Sequence, residues 1–178
     1  MMRVLVLLGA IFAMTTATTG AGAAEPENTL LIDTVHGRIT VELLPDAAPD
    51  HVARIKELAR EGFYDGVPFH RVIDGFMAQT GDPTGTGTGG SSKPDLKAEF
   101  SRDRKFERGT LGMARTANPN SANSQFFIMF QPAPHLDGQY TIFGKVIDGM
   151  DVVDQIAKGE PPRTPDVMQK VQVQADVR

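Results

Sequence analysis

The 178-residue chain contains no cysteine. That absence excludes disulfides, cysteine nucleophiles, thiolate zinc sites and a lipid-anchored cysteine. Positive charge is in short supply as well: 18 Lys and Arg stand against 22 Asp and Glu, a formal net charge of −4. A mildly acidic domain is a poor candidate for non-specific nucleic-acid binding, which needs a basic surface. The apolar run from Val4 to Met14 falls short of the roughly 20 apolar residues that cross a bilayer.

Familiar catalytic and metal patterns are missing too. The four histidines are His36, His51, His70 and His135. None has the i, i+4 spacing of a helical zinc pair, and no His-Glu-x-x-His occurs, so no metal site is expected. Ser124 lies between Asn123 and Gln125 and lacks the Gly-x-Ser-x-Gly elbow of a serine hydrolase. Gly85-x-Gly87-x-x-Gly90 matches a dinucleotide fingerprint in form. Pro94 follows closely, however, and no βαβ unit surrounds the motif. Lys93 follows Ser92 rather than a glycine, so a phosphate-binding Walker loop is excluded. These glycines read as places of positive φ and close backbone approach.

What is present describes one ordinary globular domain: 40% hydrophobic and 22% charged residues, enough chain for a core without staples. The start reads as a secretory signal peptide. Arg3 precedes the apolar run, and Ala21-Gly22-Ala23-Ala24 supplies small residues for cleavage. The expected organisation is a signal peptide over 1–24 and one mature domain over 25–178. The mature protein is expected to be exported, periplasmic in a Gram-negative cell, free of the membrane after cleavage, and monomeric.

Periodicity divides the mature chain. "NTLLIDTVHGRITVELLP" alternates and reads as a β-hairpin, with His36 a turn residue. "APDHVARIKELAREGFYDG" has helical spacing, with Val52, Ile55 and Ala59 on one face and Gly62 at its end. His51 is expected to face water. "VPFHRVI" and "FMAQTG" read as strands joined at Asp74-Gly75. In an extended chain Phe69, Arg71 and Ile73 share one face, and Phe76 opposes Met77. Alternation by itself therefore does not gather Arg71, Phe76, Met77 and Gln79 into one site. "TLGMAR", "SQFFIMF", "YTIFGKVI" and "DVMQKVQVQADV" give further strands. "DGMDVVDQIAKGE" gives a second helix, with Asp148 as N-cap and Gly159 at its end. "RDRKFER" reads as a solvated, mixed-charge surface. The sum is about eight strands and two helices, mostly joined by turns. That favours an antiparallel sheet closed into a barrel, with helices over its ends.

Six strings resemble one family in order and spacing. They are "FHRVIDGFMAQTGD", "GTGG", "GMAR", "SQFFI", "LDGQYTIFGKV" and "GMDVV". The chain resembles the cyclophilin-type peptidyl-prolyl cis-trans isomerases from about Thr29 to Val177, and its short loops look bacterial. The resemblance implies a mainly β fold: a closed eight-stranded antiparallel barrel capped by two α-helices. It also implies a groove on the barrel's outer surface, proline-containing polypeptides as substrates, and no cofactor. Carried over by position, Arg71 matches the catalytic arginine, and Gln79 a polar contact near the reacting bond. Phe76, Met77, Phe127 and Leu136 match the proline pocket. Ala114 and Arg115 match the edge that holds substrate backbone, Gln125 lies beside that edge, and Tyr140 also falls in the groove. His70 and His135 match supporting positions. Three residues depart from the eukaryotic pattern: Arg115 stands for asparagine, His135 for tryptophan and Tyr140 for histidine. The competing reading is a peptide-binding or holdase module on the same scaffold.

Such a groove suits the reaction. Rotation about an X–Pro bond must cross a barrier of about 18–20 kcal/mol. No bond to a heavy atom breaks, so neither nucleophile nor metal is required. A guanidinium that stays charged, beside an apolar pocket, serves the twisted amide.

Overall fold

The computed structural model describes residues 24–177. The expected signal peptide, apart from its last position, lies outside them. Among the described residues no helix is long and apolar enough to cross a membrane.

The chain opens with a hairpin of β1 (Thr29–Thr34) and β2 (Gly37–Leu43), followed by helix α1 (Pro49–Arg60). Short strands come next: β3 (Val67–Pro68), β4 (Arg71–Ile73) and β5 (Met77–Thr80). A long loop leads to β6 (Thr110–Met113), β7 (Phe126–Met129) and β8 (Ile142–Asp148). Helix α2 (Met150–Gln155), β9 (Val167–Met168) and β10 (Lys170–Val173) complete the order. The main sheet has eight strands in the order β10-β1-β2-β8-β6-β7-β5-β4. All its pairings are antiparallel.

The sheet does not close, contrary to the barrel expected from the sequence. It curls through 205°, a half-barrel, and its end strands β10 and β4 share no ladder. Two local pairings occupy the seam instead. β3 pairs with β9, setting Val67 opposite Met168. The segment after α2 takes the free edge of β4: Val72 N–H donates to Gly159 C=O at 2.7 Å, and Gly159 N–H returns a bond to Val72 C=O at 2.8 Å. The edge that β10 would need is thus already used.

The inner face carries the main core. Leu30, Ile32, Val41, Phe126, Ile128 and Phe143 meet Val52, Ile55 and Leu58 from α1 and Val152 and Val153 from α2. Alternation along each strand selects these residues. Three local expectations change. Asp148 is not a cap; it ends β8, opposite Thr40. Gly149, at φ +87°, takes the N-cap position, and α2 stops at Gln155, well before Gly159. His51 is fully buried rather than facing water. Its Nδ1 lies 2.5 Å from Glu99 Oε2, and the same carboxylate accepts the N–H groups of Asp50 and His51. A remote acid therefore caps the orphan donors of α1 and draws His51 inward. His36 does sit in the β1–β2 turn, with Nε2 3.1 Å from Asp166.

Candidate active site

The outer face of the sheet holds a second apolar cluster, built on Met77, Phe106, Phe127, Met129, Leu136 and Ile142. One row of cross-strand neighbours organises it. Arg71 on β4 pairs with Gln79 on β5, Gln79 with Phe127 on β7, and Phe127 with Gly112 on β6. Residues paired across strands share a face, so register alone sets a cation, an amide and an aromatic ring side by side. Ile73, Met77 and Met129 form the next row. The turn between β4 and β5 reverses the chain and so restores the face that simple alternation had split. Phe76 lies in that turn, ahead of β5, and escapes the alternation.

Gly112 leaves space in the row. A Cβ there would lie 2.5 Å from Phe127 Cζ and 2.6 Å from Phe106 Cε1. The two rings occupy that space and stack at 5.7 Å. Phe106 is buried inside "RDRKFER", a stretch whose charges hide it from a reading of the sequence. Around it the charges pair outward: Arg104 with Asp46, Arg108 with Asp154.

Arg71, Phe76, Met77, Gln79, Phe127 and Leu136 line a hollow of about 280 Å³, with Ala114, Arg115 and Tyr140 on its far side. Tyr140 meets Phe127 edge to face at 5.8 Å. The Arg115 guanidinium lies 4.4 Å from the centre of the Tyr140 ring and donates to the carbonyls of Gln139 and Thr116. This arginine is a wall, its donors turned to backbone. His135 stacks on Phe76 at 5.8 Å from behind; it braces the hollow without lining it. A second chamber of about 530 Å³ adjoins the first and shares Gln79, Ala114 and Arg115 with it. Gln125 lines this second chamber rather than the first.

Polar contacts fix the rest. Gln79 Nε2 donates to Gln125 Oε1 at 2.9 Å, and Gln125 Nε2 donates to the carbonyls of Gly87 and Gly89. The acceptor oxygen of Gln79 is left without a protein partner among the described residues. Arg71 is held elsewhere: its Nε donates to Glu160 Oε2 at 2.8 Å. Glu160 had no local signal, being far along the chain. The glycine-rich loop folds around its own anion. Asp82 accepts from Thr84 N–H and Oγ1 and from the N–H groups of Gly87 and Gly89. Burial pushes the Asp82 carboxyl up, but these donors outweigh it and set its pKa at about 2. His70 is buried against Gly87, with neither ring nitrogen hydrogen-bonded. Burial holds its imidazole below the usual value, so it stays neutral at pH 7. Ser124 is also buried and donates to Gly81 C=O. Among the described residues no three His, Asp or Glu side chains converge as a metal site.

Residues 29–176 match the family described as cyclophilin type peptidyl-prolyl cis-trans isomerase/CLD. A probable peptidyl-prolyl cis-trans isomerase of Brucella suis is 54% identical over 174 residues, covering 89% of this chain and 88% of its own. Peptidyl-prolyl cis-trans isomerase B of Bacillus subtilis is 44% identical over 137 residues, 77% of this chain and 91% of its own. Among solved structures, a cyclophilin from Hirschia baltica superposes with a TM-score of 0.80 at 29% identity, covering 87% of this chain and 77% of its own. A cyclophilin-type isomerase of Cryptosporidium parvum, crystallised in the presence of the dipeptide Ala-Pro, superposes at 0.76 with 33% identity, over 82% of this chain and 98% of its own.

Proposed function

The chain belongs to the cyclophilin-type peptidyl-prolyl cis-trans isomerases, and from that premise we propose how its groove performs the isomerisation. Proline-containing segments enter the 280 Å³ hollow, as the Ala-Pro dipeptide present with the Cryptosporidium relative suggests for this chain. Phe76, Met77, Phe127 and Leu136 grip the proline ring and exclude water. The acyl group before the proline rotates while the ring stays fixed.

In the twisted amide the imide nitrogen is pyramidal and regains its lone pair. Arg71 donates to that lone pair. Its guanidinium stays charged and offers five donors in a plane, of which the Nε–H is taken by Glu160. A donor at the rim of an apolar hollow acts more strongly than the same donor in water. Gln79, turned by Gln125, presents its carbonyl oxygen to the substrate. The backbone at Ala114 and Arg115 holds the substrate chain. No proton moves, so the neutral His70 is a supporting residue.

The observation that carries this assignment is the row Arg71–Gln79–Phe127, which sets a cation at the edge of an aromatic floor. Exchange NMR on a short X–Pro peptide tests it. Wild type accelerates exchange, and Arg71→Ala, still folded, loses at least about tenfold, or 1.4 kcal/mol of barrier. A folded Arg71→Ala variant with wild-type rates removes Arg71 from the mechanism.

The protein acts, in this proposal, as a monomer on exported polypeptides outside the cytoplasm. The leader-like composition of residues 1–24 supports the export. N-terminal sequencing of the protein from a periplasmic fraction tests it: a start at Ala24 or Glu25 is expected, and a retained Met1 in the cytosol refutes it.

A further inference from the structure

Glu160 lines neither chamber of the groove, yet it accepts the one hydrogen bond that the Arg71 side chain makes among the described residues. Main-chain register puts it there. Val72 and Gly159 form an antiparallel bridge, so their neighbours Arg71 and Glu160 come side by side across it. The segment bearing Glu160 is stiff. Gly159 has φ +146°, and a Cβ on it would lie 2.6 Å from Pro162 Cα and 2.8 Å from Pro161 O. Two prolines follow Glu160 and limit its backbone further. Asp166 closes the same loop by accepting the Ala157 N–H at 2.9 Å.

We propose that Glu160 is the positioning residue of Arg71: by taking the Nε–H from behind, it turns both terminal NH₂ groups toward the bound imide. The inference rests on the catalytic reading of Arg71. A charge-assisted bond to Nε limits the side chain's last torsions. Arg71 otherwise projects from a three-residue strand with no second side-chain hydrogen bond among the described residues to fix its guanidinium. Both partners are substantially exposed, and exposed ion pairs add little to stability. The contact therefore serves aim rather than folding. Gln79 makes no bond to Arg71; its amide Nε2 donates to Gln125 instead, and Glu160 is the side chain that Arg71 engages.

A kinetic cycle of wild type, Arg71→Ala, Glu160→Ala and the double variant tests the proposal, with kcat and KM measured separately on one X–Pro peptide. Glu160→Ala is expected to lower kcat about fivefold with KM unchanged, and to cost nothing further once Arg71 is alanine. Glu160→Gln, which keeps an acceptor oxygen, should recover part of the loss. The Arg71 Nε–Hε NMR signal should shift in Glu160→Ala at unchanged Tm. An unchanged kcat in Glu160→Ala overturns the proposal, and so does an equal loss in both Arg71 backgrounds. An Arg71→Ala variant as fast as wild type also overturns it, but through the catalytic reading beneath it, which that single variant identifies.

Discussion

On the inner side of the sheet, Phe126, Ile128 and Ala78 point into a core sealed by two helices. One residue along the same strands, Phe127, Met129 and Met77 point outward into a cluster to which neither α1 nor α2 contributes. The side chains are similar in kind, but their surroundings differ. Inside, Phe126 packs edge to face on Tyr64 and Phe143 and is fully buried. Outside, Phe127 stacks on Phe106 and leaves its other edge to the hollow. A full apolar layer serves stability; an apolar layer left one ring short serves binding. The outer layer includes Arg71 and Gln79 because its solvent side never closes, so their charge and amide avoid the cost of full burial.

The adjacent phenylalanines test that contrast most strongly. Phe126→Ala should cost about 3–5 kcal/mol in urea unfolding, while the surviving folded fraction keeps wild-type kcat/KM. Phe127→Ala should destabilise less and lose at least about tenfold in kcat/KM on X–Pro peptides. If both variants behave alike in stability and rate, the two faces are not functionally distinct.

A second, smaller effect lies at the loop bordering the groove. The Asp82 pKa falls from 3.8 to about 2 on folding. A depressed carboxyl stabilises the folded state above its unfolded pKa, and that contribution is lost as pH falls through the folded one. About 2 kcal/mol should therefore disappear between about pH 4 and pH 2. Urea midpoints across that range check it, with Asp82→Asn expected to flatten the dependence. An Asp82→Asn curve parallel to wild type would place the acid sensitivity elsewhere.

The smallest effect concerns the wall. Arg115→Ala removes a partly exposed cation–π contact worth about 0.5–1 kcal/mol. It should raise KM about two- to threefold with little change in kcat. A loss in kcat instead would make Arg115 a participant in rotation.

Much of the framework was legible in the sequence. Helix α1, the β1–β2 hairpin and the strands around Phe126 and Phe143 carry local periodicity. The groove residues came through their strings and family likeness, since alternation alone separated Phe76 from Met77. Alternation was insufficient because faces match through pairing across a turn, and pairing is not written in any one strand. Glu160 and Phe106 were missed for different reasons. One reaches Arg71 through a bridge between distant segments; the other is an aromatic ring among charges. The open seam was equally invisible, because it depends on which segment claims the edge of β4.

The position of β10 has a consequence in time. Leu30 of β1 pairs with Val173 of β10, a partner made about 140 residues later. At synthesis rates of about 5–20 residues per second, β1 waits on the order of ten seconds for it. Throughout that wait one edge of the first hairpin shows unpaired N–H and C=O groups, a template for any neighbouring strand. A protein that hastens a slow step in other chains thus has a slow appointment of its own to keep.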